Sequence, residues 1–307
     1  MKIVLECEEE TMLFIEKAVR LACPGEGNVY IMFTDEEIYI KDTGSEMAGV
    51  NSWIEINLKD LNLFKNYIVQ SKKPHNLIVL EVVKFQLVEA LKACDSFTNT
   101  DVTIKLGKQT TGTQGMAFLS FNCTVKDEGF NFVKQVDSVL IREPEDLISE
   151  MPGTVDAELT FLPVLQQVLK PLNSEAFLQV GLTVEKCGAC KKLNQDDYEY
   201  VFRCDHSRAK VEVENCGKLT LRTIEADPVH VVSVFRNIVL EPGLCSLHTI
   251  QSSVRVRHLL EIIQRVTFSL WDKVVLGITN NEGLTISLTK RDDLHVKFII
   301  PAFVEAS

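Results

Sequence analysis

VRVRHLLEIIQRV, residues 254–266, is followed by KVVLGIT (273–279), GLTISLT (283–289) and LHVKFII (294–300). In the first run Val256, Leu259, Leu260, Ile263 and Val266 recur at helical spacing and leave Arg257, Glu261, Gln264 and Arg265 outside. The other three have strand length and strand composition, and Asn280–Gly283 (NNEG) carries the turn chemistry of a tight hairpin. A helix feeding an antiparallel meander buries one helix face on one sheet face.

The same order recurs upstream. A first unit opens with a strand from Lys2 and a helix from about Glu9 to Ala22, with Glu8, Glu9 and Glu10 at the dipole's positive end and Pro24 and Gly25 beyond its finish. VYIMFT, EEIYIKD and WIEIN follow as strands, whereas residues 58–76 fit either a short helix or a strand with a loop. A second unit starts at Leu77, with a helix over Val83–Cys94 and strands DVTIKL, GMAFLSFNCTV and GFNFVKQV. A third starts at Val155, with a short helix from Leu162 and strands at 177–185, 198–204 and 209–213, leaving LTLRTI and the apolar run 231–240 unassigned. The fourth, from Leu247, contains the stretch quoted above. Pro144, Pro152 and Gly153 punctuate a segment between the second and third units. The reading is α+β, two similar domains at 1–135 and 155–307, each of two strand-helix-strands units, joined by a connector at 136–154. Duplication on this scale weighs more than any one strand assignment.

At 307 residues, two ordinary cores are accessible, and 46% hydrophobic with 24% charged residues is a globular composition. MKIVLECEEE lacks the apolar core of a signal peptide, and nine scattered cysteines suit a reducing compartment. The net charge of −11 argues against a surface that coats nucleic acid everywhere, while leaving room for a local basic face.

Five stretches carry a resemblance: SWIEI at 52, LVEALKAC at 87 with VTIKL after it, AELTFLPVLQQVLK at 157, and the ending LHVKFIIPAF. In that order they resemble the hydroxyurea-sensitivity (Hus) subunit of the heterotrimeric checkpoint clamp, the nine-one-one complex, within the sliding DNA clamps. The likeness spans nearly the whole chain. It departs at CGACKKLNQDD from Cys187 and at the apolar stretch around Val231.

The resemblance implies a toroid of three related subunits, with helices lining a hole for double-stranded DNA and antiparallel sheets outside. It implies a nuclear checkpoint and repair platform opened by a clamp-loader ATPase, with a homotrimeric replication clamp as the nearest alternative. Lys17, Arg20, Lys84, Lys92, Lys170, Arg257 and Arg265 would face DNA through phosphate contacts, against the plainer reading of solvated helix faces. Strands 130–137 and 207–214 would be the pairing edges, with Phe130, Phe132, Lys134, Arg208 and Lys210 at the subunit interfaces. Val139, Leu140 and Ile141 fit either core or a docking ledge.

Catalytic chemistry has no footing in the sequence. The six histidines fall in no motif, and GKQTTGTQG at 107–115 lacks the Gly-Lys-Ser/Thr order of a phosphate loop. Cys187 and Cys190, with Cys204, His206 and Cys216 downstream, have the spacing of part of a zinc site or a redox pair. With no second Cys-x-x-Cys, a hairpin tip carrying incidental thiols is preferred, and neither metal nor cofactor is expected.

Overall fold

The computed structural model describes residues 1–42, 49–58, 63–111, 114–141, 155–184, 217–224, 231–238 and 249–303. These divide into two compact units: Met1–Met47 with Ser52–Ser149 and Thr289–Lys297, and Ala48–Asn51 with Glu150–Leu288 and Phe298–Ser307.

In the first unit, β1 (Lys2–Glu8), α1 (Glu9–Ala22), β2 (Asn28–Phe33), β3 (Glu37–Asp42), β4 (Asn51–Asn57) and β5 (Asn66–Gln70) form one repeat. After a 3₁₀ turn at Pro74–Asn76, β6 (Ile78–Val83), α2 (Lys84–Cys94), β7 (Thr100–Thr111), β8 (Gln114–Val125) and β9 (Phe130–Ile141) form the next. The ambiguous stretch before the second repeat therefore holds a strand and a turn. The strands run in the order β4-β3-β2-β6-β9-β8-β7-β1-β5. Each repeat's first strand lies between the other repeat's first meander strand and its own last strand: β1 between β7 and β5, β6 between β2 and β9. The duplication in the sequence is thus a reciprocal exchange of strands.

In the second unit each repeat's first strand again pairs with the other repeat's first meander strand. β10 (Val155–Glu158), α3 (Leu162–Leu169), β11 (Phe177–Val184), β12 (Gly217–Thr223) and β13 (Val232–Ile238) precede β14 (Thr249–Arg255), α4 (Val256–Arg265), β15 (Lys273–Thr279), β16 (Gly283–Lys290) and β17 (Leu294–Pro301). β10 pairs with β15 and β14 with β11, in sheets ordered β10-β15-β16-β17 and β13-β12-β11-β14.

Helix faces hold these layers together. α1 buries Met12, Phe14, Ile15, Ala18, Val19, Leu21 and Ala22, packing on the sheet and on α2. α3, at eight residues, is too short to persist alone, so Leu162, Leu165 and Leu169 fix it by burial, each worth about 1.5–3 kcal/mol. Gln166 of α3 also donates its side-chain amide to the Ile263 carbonyl of α4.

Three expectations need correction. α4 begins at Val256, and its buried stripe contains Ile262 while Leu260 is only half-buried, because successive 100° turns bring Ile262 and Ile263 together onto the core side. Residues 136–141, expected in the connector, are strand: β9 continues to Ile141 and pairs with Val79–Val82 of β6, which satisfies backbone groups that a linker would leave open. Leu140 and Ile141 are accordingly half-buried ladder residues, and Val139 is exposed on the sheet. In the third repeat the unassigned LTLRT and VSVFRNI runs are strands, β12 and β13. The expected strands at 198–204 and 209–213, and connector residues 142–154, lie outside the described residues.

Candidate nucleic-acid interface

The basic residues singled out in the sequence sit on the exposed sides of paired helices. α1 and α2 pack side by side in the first unit, as do α3 and α4 in the second. The four helices contain six basic and five acidic side chains, so their surplus of positive charge is small. Lys170, just past α3, adds one more.

Neighbours differentiate the seven positions. On α1, Arg20 is half-exposed but paired with Glu16 one turn earlier, and Lys17 lies 3.5 Å from the same carboxylate. Glu16 is itself only 4% exposed. Its place between Met12 and Val19 on the apolar stripe was a readable signal that the carboxylate points inward. Glu16 also acts on Asp95, just past α2, whose carboxyl is held above the usual range first by burial and then by the Glu16 charge.

Lys84 does not project freely: its ammonium donates to the Cys23 carbonyl at the end of α1, 2.8 Å away. Lys92 and Lys170 are exposed and make no ion pair among the described residues. On α4, Arg257 reaches Glu175 at 3.3 Å, and Arg255 of β14 reaches the other oxygen at 3.4 Å. Arg255 also lies over the Phe177 ring, which stacks on Phe303. Arg265 is exposed in the last turn of α4. His258, beside Arg257, is buried with an unpartnered Nε2, and its pKa is depressed first by desolvation and then by Arg257 and Arg255.

The sheets supply a different surface. β6 covers β9 only over Ser138–Ile141, so along Phe130–Asp137 β9 has β8 on one side and no strand on the other among the described residues. The side chains of Phe130 and Phe132 turn inward and cluster with Phe97, at centroid distances of 5.2 and 5.8 Å. They stabilise the edge; Val133, 54% exposed, lies on the opposite face, and Lys134 is exposed on the same face as the two phenylalanines. Phe85 of α2 is 71% exposed in a groove shared with Lys92, Lys134 and Gln135.

In the second unit β13 is one of the sheet-terminal strands, with β10 and β14, and it exposes Val232 and Val234. The expected edge 207–214, with Arg208 and Lys210, lies outside the described residues, as do Cys187, Cys190, Cys204, His206 and Cys216. Among the described residues no group of three or more His, Cys, Asp or Glu is placed to hold a metal ion, and no helix is long and apolar enough to cross a membrane.

Duplicated units with strand exchange, two helix pairs and antiparallel sheets define the sliding-clamp fold. Solved proliferating cell nuclear antigens share it. The one from Thermococcus kodakaraensis superposes with a TM-score of 0.61 at 15% identity, over 98% of this chain and 100% of the other. That from Entamoeba histolytica gives 0.62 at 12%, over 98% and 99%. The A. fulgidus protein, solved with the C-terminal region of FEN-1 bound, gives 0.58 at 10%, over 99% and 100%. No curated protein matches the chain in sequence. The family model for Hus1-like protein matches residues 15–242, and the chain belongs to that family.

Proposed function

We propose that this chain is a non-catalytic subunit of a heterotrimeric ring that encircles double-stranded DNA at damage sites in the nucleus. In this reading it serves as a platform for checkpoint signalling and repair enzymes, and a clamp-loader ATPase opens the ring. The observation that carries the proposal is membership of the Hus1-like family together with strand edges at β9 and β13 that are unpaired among the described residues. Pairing the β9 edge of one subunit with the β13 edge of the next would be head-to-tail, an arrangement that closes into a ring when the rotation per subunit allows. Lys134 at the β9 edge discourages pairing with a second copy of the chain, because charged edge residues oppose uncontrolled strand addition.

Exposed Lys92 and Lys170 provide sequence-independent attraction to phosphates. Lys17, Arg20, Lys84, Arg257 and Arg265, each with an interaction inside the protein, contribute less. A weakly positive helix face suits a ring that tracks along DNA without gripping it.

The test is the solution mass of the purified chain at micromolar concentration, alone and with two related clamp subunits. A monomer that enters a 1:1:1 complex is expected. A stable homotrimer of this chain alone would support a replication clamp and defeat the heterotrimer.

A further inference from the structure

The first unit buries four free thiols among its described residues: Cys7, Cys23, Cys94 and Cys123. Cys94, the last residue of α2, and Cys123, in the middle of β8, have their sulfurs 3.0 Å apart, with each side chain closed off from solvent. Cys7 does not compete for Cys123. Strand register sets it opposite Val102, which is opposite Cys123, so two strand spacings of about 4.8 Å separate Cys7 from Cys123. That exceeds the Cα separation a disulfide spans, roughly 4.4–6.8 Å. Cys7 instead directs its thiol at the Val102 carbonyl.

We propose that Cys94 and Cys123 form a redox modification site, converted by a two-electron thiol oxidant into a disulfide that fastens the end of α2 to β8. An azodicarboxamide such as diamide is sufficient. The Cys123 thiolate adds to one nitrogen of the N=N bond, forming an S–N bond, and the other nitrogen takes a proton. Cys94 sulfur then attacks Cys123 sulfur; the S–S bond forms, the S–N bond breaks, and the departing nitrogen takes the second proton. Two thiols lose two hydrogens, and the diazene becomes a hydrazine. The hydrogen bond the thiols share assigns these roles, since it holds Cys123 below and Cys94 above the ordinary thiol range. Entry is from the open groove along α2, where Ala90, Ala93 and Ser96 border the helical turn that ends in Cys94. Opening of that last turn exposes the pair.

The bond ties together elements that bear surface features. α2 carries Phe85 and Lys92, and Cys123 is registered opposite Phe132 of β9. Closing a loop between residues 29 apart restricts the unfolded chain more than the folded one. None of this depends on the DNA reading.

The experiment treats the folded, full-length chain with diamide under native conditions, digests it without reductant and maps the linked peptides by mass. A peptide joining Cys94 to Cys123, lighter by two hydrogens and released by dithiothreitol, is expected. The oxidised protein should melt at a higher temperature than the reduced one. That gain should vanish in Cys94→Ser and in Cys123→Ala, whose reduced forms serve as their own references. Free thiols at both positions after exhaustive oxidation, a different pairing, or a link formed only in denaturant would overturn the assignment. The mapping on the native sequence decides it even where a variant folds poorly.

Discussion

The ammonium of Lys84 donates to the main-chain carbonyl of Cys23, 2.8 Å away, so the first residue of α2 closes the last turn of α1. Helix ends leave carbonyls without partners, and a cation there also meets the negative end of the dipole. A hydrogen bond to a charged group in a half-exposed place is worth about 1.5 kcal/mol, the lower end for its kind. Lys84→Met should therefore lower the melting temperature of the chain while leaving DNA retention by the assembled ring nearly unchanged. Lys92→Met, at an exposed position with no such partner, should do the reverse. Equal behaviour of the two variants in both assays would contradict the distinction.

Gly283 opens β16 with φ +151°, and a Cβ built there would meet the Ile300 carbonyl oxygen of β17 at 2.3 Å. The obstacle is backbone, so no side-chain rotation relieves it. Gly283→Ala should destabilise the chain by about 1–3 kcal/mol or more, through conformational strain plus displacement of β17. Chemical denaturation measures this directly, with Gly27→Ala as a control: its φ is +144° but nothing lies within 4 Å. Similar losses in both would assign the cost to φ alone.

His258 gives the second unit a pH dependence whose sign is fixed by its surroundings. Burial first, and then Arg257 and Arg255, hold its folded pKa below the ordinary 6.5. As pH falls below about 6.5 the unfolded chain takes up the proton first. The stability His258 contributes is complete above that pH and is lost as pH falls through the depressed folded value. Melting temperatures at pH 7.5 and 5.5 should differ less in His258→Gln than in the native chain. An equal acid loss in the two would move the effect to other groups.

Sequence periodicity reveals the repeats because each helix carries its own apolar stripe and each meander its own turn chemistry. It sets α1 at the residues the structure gives, Glu9–Ala22, since acidic residues open that helix and Pro24 follows it. It leaves LTLRT and VSVFRNI unassigned for a physical reason: both are short β-prone runs, and composition does not say with what they pair. The basic set is legible as residue types on helices, but not as free charges. That Glu16 neutralises Arg20 follows from i,i+4 spacing, whereas the Lys84–Cys23 and Arg257–Glu175 contacts join residues 61 and 82 positions apart. The inward turn of Phe130 and Phe132 likewise needs Phe97, which only the folded α2–β7 connection brings to them.

Glu175 supplies the sharpest test of the DNA-facing assignment. Its two carboxylate oxygens engage Arg255 and Arg257, so a single residue restrains two cations next to α4. Glu175 is more than half-exposed, and surface pairs of this kind contribute only about 0–1 kcal/mol to stability. Glu175→Gln should thus leave folding and ring assembly intact while releasing both guanidinium groups toward phosphate. If the α3–α4 face meets DNA, the variant should hold duplex more tightly, and the gain should shrink as salt rises. The double change Arg257→Glu with Arg265→Glu should act oppositely and equally across DNA sequences. Removing one cation from a phosphate lowers the magnitude of the log-log salt slope by roughly 0.9. Intact DNA retention combined with a broken 1:1:1 complex in the double variant would instead make this face a subunit contact.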